Sequence, residues 1–446
     1  MRRPSSPSRL RAIALLALLA AGSTSEARAQ MSRVDPRIAS AVAEISPERL
    51  EEYLGALTAL ETRHSLSHSD RTDWGVGAAR EYILATMRGF STALDVSLDC
   101  YDVEPQGRIT EATELCNVVA VLPGRSDRRV YVSGHYDTVA RRGDGTFDWS
   151  RWDNPAPGAN DDGSGTVLTM EVARVLAQSG LGFDATLVFV AFVAEEEGLV
   201  GASLHASRAA REGWRIDAVF NNDIIGNSRG GNGILDSHTV RVFSEDPMDS
   251  PSRQLARFIR RQAAVYASTQ KVRLIAREDR FGRGGDHTAF NRQGFAGVRF
   301  SEARENYSRQ HTADDTMEGV DFAYLARNAQ VNAGAVATLA MAPAAPEVQG
   351  RQGPMLGRGE SGYDAALRWE PSPGAVAYRV VWREAWIPDW EFERHVEGAT
   401  QLTLENLSID DYVFGVAAVD ADGHESLVAA YVRPPRPRAD VRQSGR

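Results

Sequence analysis

The chain has 446 residues, 43% of them hydrophobic and 25% charged, with 39 Gly, 19 Pro and 2 Cys. These proportions exclude a disordered chain, a collagen-like repeat and a disulfide-dense mini-scaffold, and the length predicts two or three domains with cores of their own. A formal net charge of −10 argues against nucleic acid or an anionic membrane as a general partner.

Residues 1–29 read as a signal peptide rather than as part of the fold. Arg2, Arg3, Arg9 and Arg11 precede the apolar run AIALLALLAA, and Ala27-Arg28-Ala29 offers a small-residue cleavage site. The run is too short to span a bilayer comfortably, and no later segment is long and apolar enough. No stable membrane anchor is therefore expected, and the product should be secreted or periplasmic. Cleavage removes five arginines and one glutamate, which takes the net charge to −14.

Helix-spaced apolar positions follow over 38–60 and 74–90. Cys100 and Cys116 lie in two strand-like runs, LDVSLDCYDV and ELCNVVAVLPG, and in an oxidising compartment they would bridge neighbouring strands; the alternative is a pair of buried free thiols. Beyond them VVAVL, VYVSGHYD, DATLVFVAFVA and DAVFNNDII alternate with the helical TVLTMEVARVLAQS and GASLHASRAAREG. Near-continuous apolar strands alternating with helices predict an α/β unit, a mainly parallel sheet covered on both faces. That pattern ends with the helix-like DFAYLARNAQVNAGAVATLAMA. A Pro/Gly/Ala-rich stretch over 344–360 reads as a linker. From 361 to 435 the period becomes two (AALRW, AYRVVWREA, TQLTLENL, YVFGVAAVD), which predicts an all-β sandwich, and 436–446 is a tail. Trp369, Tyr378 and Leu407 five residues before Tyr412 resemble the fibronectin type III pattern. Such a domain is a candidate for contact with a surface, a polysaccharide or a protein, or for packing on its neighbour.

Five segments at predicted strand ends concentrate the chemistry: SGHYDT (His135, Asp137), GANDDGSG (Asp161, Asp162), AEEEG (Glu195, Glu196, Glu197), NNDIIG (Asp223) and RQHTADDT (His311). Loops at the carboxyl ends of parallel strands converge on one crevice. Two imidazoles with several carboxylates suit zinc or a related divalent ion. Each segment alone has a plainer reading as a turn, a helix cap or a core histidine.

Together, in this order, the five resemble the M28 family of co-catalytic zinc peptidases, over about 50–341. The resemblance implies a zinc-exopeptidase-like fold, two Zn2+ per catalytic domain (30–343) and peptide or protein substrates. It implies that His135 and Asp223 hold one metal, Glu196 and His311 the other, and that Asp161 bridges them. Asp137 would orient His135, Glu195 would act as general base toward a metal-held hydroxide, and Asp162 would buttress the bridge. Tyr307 is a candidate for the oxyanion, and His287, in GGDHTAF, for the substrate pocket. Aminopeptidase action is the first expectation. A carboxypeptidase or amidohydrolase on the same metal pair is the alternative, with Arg299, Arg304 and Arg309 as candidate carboxylate anchors; a peptidase-like binding ectodomain is the non-enzymatic one. An M20-type enzyme would insert a lid domain before its last His, whereas Asp223 and His311 are only 88 residues apart. Gly226-Asn-Ser228-Arg-Gly230 matches G-x-S-x-G, but a Gly-rich turn follows it where a nucleophile elbow needs a helix.

Overall fold

The computed structural model describes residues 34–150 and 152–432. The expected signal peptide and the 436–446 tail lie outside them. The first helical stretch is two helices, α1 (Pro36–Ala43) and α2 (Pro47–Thr58). Pro47 cannot continue α1, but it fits the first turn of α2, which Ser46 caps through a hydrogen bond accepted from the Arg49 N–H. Helix α3 (Gly75–Arg88) then leads to the hairpin of β1 (Asp95–Val103) and β2 (Thr113–Leu122). Cys100 and Cys116 stand directly opposite each other in its register and form a disulfide.

The chain continues through β3 (Arg128–His135), α4 (Ser164–Gln178), β4 (Thr186–Phe192), α5 (Val200–Arg211), β5 (Arg215–Asn222), β6 (Thr239–Ser244), α6 (Pro251–Tyr266), β7 (Lys271–Ile275), α7 (Asp286–Arg292), β8 (Gly297–Glu302) and α8 (Phe322–Met341). The eight strands form one sheet in the order β1-β2-β4-β3-β5-β8-β6-β7. Its centre, β4-β3-β5-β8, is parallel, and antiparallel pairings join the flanking strands to it. The larger core packs residues of α1–α4, α6 and α8 against one face, including Leu54, Val172, Ile259 and Val336. On the other face α5 and α7 pack Ala202, Ala206 and Phe290 against Tyr131, Val190 and Phe192. The predicted two-sided α/β architecture is present.

Residues 344–360 are not a linker. They carry the hairpin Gln349–Gly350/Gly353–Pro354 and the edge strand Leu356–Gly357, and Val348 is buried in the core of the C-terminal domain. Their Gly and Pro residues mark tight turns between short strands rather than a spacer. That domain has a three-stranded sheet (Leu356–Gly357, Ala365–Arg368, Gln401–Leu404) and a four-stranded one (Phe392–Glu397, Ala377–Glu384, Tyr412–Val419, Ala429–Ala430), both antiparallel. Leu367 and Leu404 from the first sheet share a core with Val380, Phe414 and Val416 from the second, and Trp369 packs on Tyr378. No helix among the described residues is long and apolar enough to cross a membrane.

Candidate active site

The parallel strands deliver the polar segments to one edge of the sheet. His135 closes β3, Glu195 and Glu196 follow β4, and Asp223 follows β5. His311 lies in the segment after β8, and Asp161 in the loop that returns from β3 to α4. The backbone there is held in an unusual conformation. Ala194, Leu199, Ile224 and His311 all have φ between 57° and 61°, the left-handed region that non-glycine residues avoid at a cost of about 1–3 kcal/mol each. Those positions flank or carry the residues of the cluster, so the fold spends stability on aiming them.

Six donor atoms then form two triads that share one residue. His135, Asp161 and Asp223 make the first, and Asp161, Glu196 and His311 the second. His135 Nε2 is 3.4 Å from Asp161 Oδ1 and 3.9 Å from Asp223 Oδ1. His311 Nε2 is 3.0 Å from both Asp161 Oδ2 and Glu196 Oε1. Asp161 thus turns one oxygen toward each triad. Ligand bonds of about 2.0–2.1 Å in a tetrahedron put donors roughly 3.3 Å apart; the separations from His311 are close to that, and those from His135 run from 3.4 to 3.9 Å. Buried His311 Nδ1 has no hydrogen-bond partner, and Glu196 Oε1 meets only the His311 ring. Burial first, then neighbouring carboxylates, raise the Glu195 and Glu196 carboxyls above their ordinary range. Burial would depress His311, but Glu196 and Asp161 outweigh it and push it up to about 10. Divalent cations would relieve this crowding of negative charge, and the N/O donor set suits them.

The surrounding residues fix the cluster through backbone hydrogen bonds. Asp162 accepts from the N–H groups of His135 (3.0 Å), Gly165 (3.0 Å) and Ile224 (3.2 Å), tying β3, α4 and the end of β5 together. Asp137 does something the sequence did not suggest. Its two oxygens accept from the N–H groups of Glu195 and Glu196, each at 3.1 Å, and His135 Nδ1 is nearer to the Asp137 carbonyl (3.1 Å) than to its carboxylate (3.6 Å). Two further residues brace the cluster, Asp315 from within the RQHTADDT segment and Arg63 from outside the five segments. Asp315 accepts from the Asp161 N–H at 2.9 Å, and fully buried Arg63 donates to the carbonyls of Tyr136, Pro157 and Gly158 around the same loop.

Glu195, Glu196 and His311 face a cleft of about 720 Å³. Tyr307 stands at its rim, 64% exposed. His287 does not line it. The ring is fully buried and its Nε2 bonds to the Glu278 carbonyl at 2.9 Å, while Thr288 and Arg292, four residues apart on another face of α7, look into the cleft. Arg299 is also not a free anchor. It is fully buried, 2.6 Å from Asp223 Oδ1, the oxygen nearest His135, and 3.2 Å from Asp279. Arg304 and Arg309 do not line the cleft either; Arg108, Arg141, Arg283 and Arg292 do. Ser228 is buried, and an irregular turn follows it.

Residues 117–336 match peptidase family M28. A probable zinc metalloprotease of Pyricularia oryzae is 35% identical over 88% of this chain and 84% of its own length. The chain belongs to peptidase family M28. A second probable zinc metalloprotease, from Leptosphaeria maculans, is 34% identical over 88% of this chain and 96% of its own. Both similarities are too long to stop short of the C-terminal domain. The M28 fold is seen in the LapA aminopeptidase of Legionella pneumophila (TM-score 0.53, 19% identity, covering 70% of this chain and 77% of that one). It is seen again in the glutaminyl cyclase of Fimbriiglobus ruber (TM-score 0.52, 20% identity, covering 66% and 95%). As a member of this zinc metallopeptidase family the protein is a hydrolase that takes zinc.

Proposed function

We propose that this M28 protein is a secreted di-zinc aminopeptidase. The observation that carries the reading is Asp161, whose two oxygens face separate donor triads. His135 and Asp223 would hold one zinc, Glu196 and His311 the second, with Asp161 shared between them. A bound pair acidifies water and polarises the substrate carbonyl. Glu195 is the general base. It lies beside Glu196, faces the cleft and is raised chiefly by burial, as suits a group that takes a proton from attacking water and passes it to the leaving amine. Asp137 holds the Glu195 and Glu196 backbone, so the base and the ligand keep a fixed separation. Tyr307, at the rim, would reach the developing oxyanion once substrate closes on it. Aminopeptidase action rests on the carboxylates of Glu195, Glu196 and Asp223, which favour a substrate ammonium beside the reacting carbonyl.

The test compares kcat/KM for a free-amine peptide with its N-acetyl form, alongside metal content. Loss of activity on acetylation supports an aminopeptidase. Loss only on C-terminal amidation replaces it with the carboxypeptidase reading, which the cleft arginines favour. Less than one zinc per chain would favour a binding ectodomain. We also propose that the C-terminal domain is fibronectin type III-like and acts first as a packing module on the catalytic domain.

A further inference from the structure

Four arginines line a cleft in a protein whose net charge is −10. Apart from Glu195 and Glu196, the lining residues include a single carboxylate, Glu278. Such a concentration of guanidinium groups in one concavity needs a reason; some exposed arginines elsewhere, such as Arg71 and Arg358, are paired with an aspartate within 3.0 Å. Arg108, Arg141 and Arg292 have no carboxylate within ion-pair distance among the described residues. Two of the three are nevertheless held in place. The Arg108 guanidinium donates to the Glu196 carbonyl at 2.6 Å and lies 4.5 Å over the Trp149 ring; the Arg141 guanidinium lies 5.2 Å over Phe147, and the Arg141 backbone N–H donates to the His311 carbonyl at 2.8 Å. Both are thereby tethered to residues of the metal-ligand cluster. Arg283 bonds to Gln310, whose own amide donates to Asp161 at 2.7 Å.

Stacking on an aromatic ring restricts a guanidinium without neutralising it, and leaves its N–H groups free for an oxyanion. We infer that this cleft selects peptides that carry a carboxylate within about two residues of the scissile bond, with Arg108 and Arg141 as its principal receptors and Arg292 beyond them. The inference rests on the peptidase reading above and adds the substrate class. A carboxylate could come from an Asp or Glu side chain or from the C-terminus of a short peptide, and the chemistry of recognition is the same.

The test uses the full chain and matched tripeptides: Glu-Ala-Ala against Gln-Ala-Ala and Ala-Glu-Ala against Ala-Gln-Ala, each as free acid and C-terminal amide. Turnover is measured on metal-loaded protein, and binding by calorimetry on chelator-treated protein. The acidic member should be preferred by at least about tenfold, the factor a charge-assisted hydrogen bond supplies. That ratio should fall toward one in Arg141→Gln and Arg108→Gln, and Arg141→Lys should keep part of it. A variant that merely disturbs the fold would slow both members equally and leave the ratio standing. A preference for Glu over Gln assigns the side chain as the source, and a preference for acid over amide assigns the C-terminus. If neutral peptides are cleaved and bound as well as acidic ones, or if the arginine variants keep the preference, the inference is overturned and the peptidase reading stands. If the loaded protein cleaves none of them while the stripped protein still binds the acidic members selectively, the anion site stands and the peptidase reading falls.

Discussion

Charge is buried in two parts of this molecule and balanced in opposite ways. Where α6 meets the C-terminal domain, buried arginines have partners across the boundary. Arg257 donates to the Pro388 carbonyl, Glu425, already paired with Arg379 at 3.0 Å, also meets Arg261 of α6 at 3.3 Å, and Arg383 meets both oxygens of Asp249 at 2.7 Å. In the cleft, carboxylates crowd around two imidazoles with Arg299 paired to Asp223 alone of them, and three of the four arginines at the wall, Arg108, Arg141 and Arg292, lack carboxylates among the described residues. Balanced burial holds parts together; unbalanced burial calls for something from outside, cations at the floor and an anion at the wall.

The contrast can be broken experimentally, beginning at the floor. Asp161→Ala removes the shared donor, so metal occupancy should collapse from two toward zero and activity should fall to background; two bound metals with full activity would refute the bridge. Chelation should also lower the melting temperature, because ligand present at 1,000 times its dissociation constant contributes about 4 kcal/mol. Glu195→Gln should cut kcat by about 10²–10⁴-fold while leaving metal content unchanged. Metal loss in that variant would exchange its role with that of Glu196.

At the domain boundary, truncating one partner of a balanced pair strands the other. Arg383→Ala should destabilise the protein by about 3–5 kcal/mol, read by denaturant unfolding, whereas the same change at exposed Arg358 should cost less than about 1 kcal/mol. Opening the Cys100–Cys116 bridge by Cys→Ser replacement should cost about 3 kcal/mol in the chain-entropy account. The smallest effect is a pH dependence at the contact between α1 and the C-terminal domain. Burial would depress His424, but its partners Asp420 (2.7 Å) and Asp35 (3.0 Å) outweigh burial and raise it. The protonated ring is therefore favoured in the folded state. Its contribution is fully present below the ordinary imidazole value of 6.5 and is lost as pH rises through the higher folded value. His424→Gln should flatten that part of the stability profile; an unchanged profile would remove His424 from the account.

Much of this was legible in the residues alone. The alternation of apolar strands with helices announced the layered sheet, because each element is encoded by a short-range period. The five polar segments announced the cluster, because parallel strands bring their carboxyl ends to one edge whatever the loops do. The pairing of Cys100 with Cys116 needed only two neighbouring strands. The strands in 344–360 were hidden by Gly and Pro, whose usual meaning is a spacer.

Tertiary structure alone decided what depends on contacts between distant segments. Arg108 reaches a carbonyl 88 residues away, Arg299 bonds to Asp223 from 76 residues away, and Arg63 braces a loop 95 residues on. Nothing in the sequence near Arg299 says that it is buried against a carboxylate, and nothing near Arg141 says that it is left open on an aromatic shelf. Secondary structure and strand-end chemistry follow from neighbours along the chain, so the sequence determined them. Whether an arginine is an ion-pair partner or an unspent receptor depends on what lies across the fold, and only the packed chain determines that.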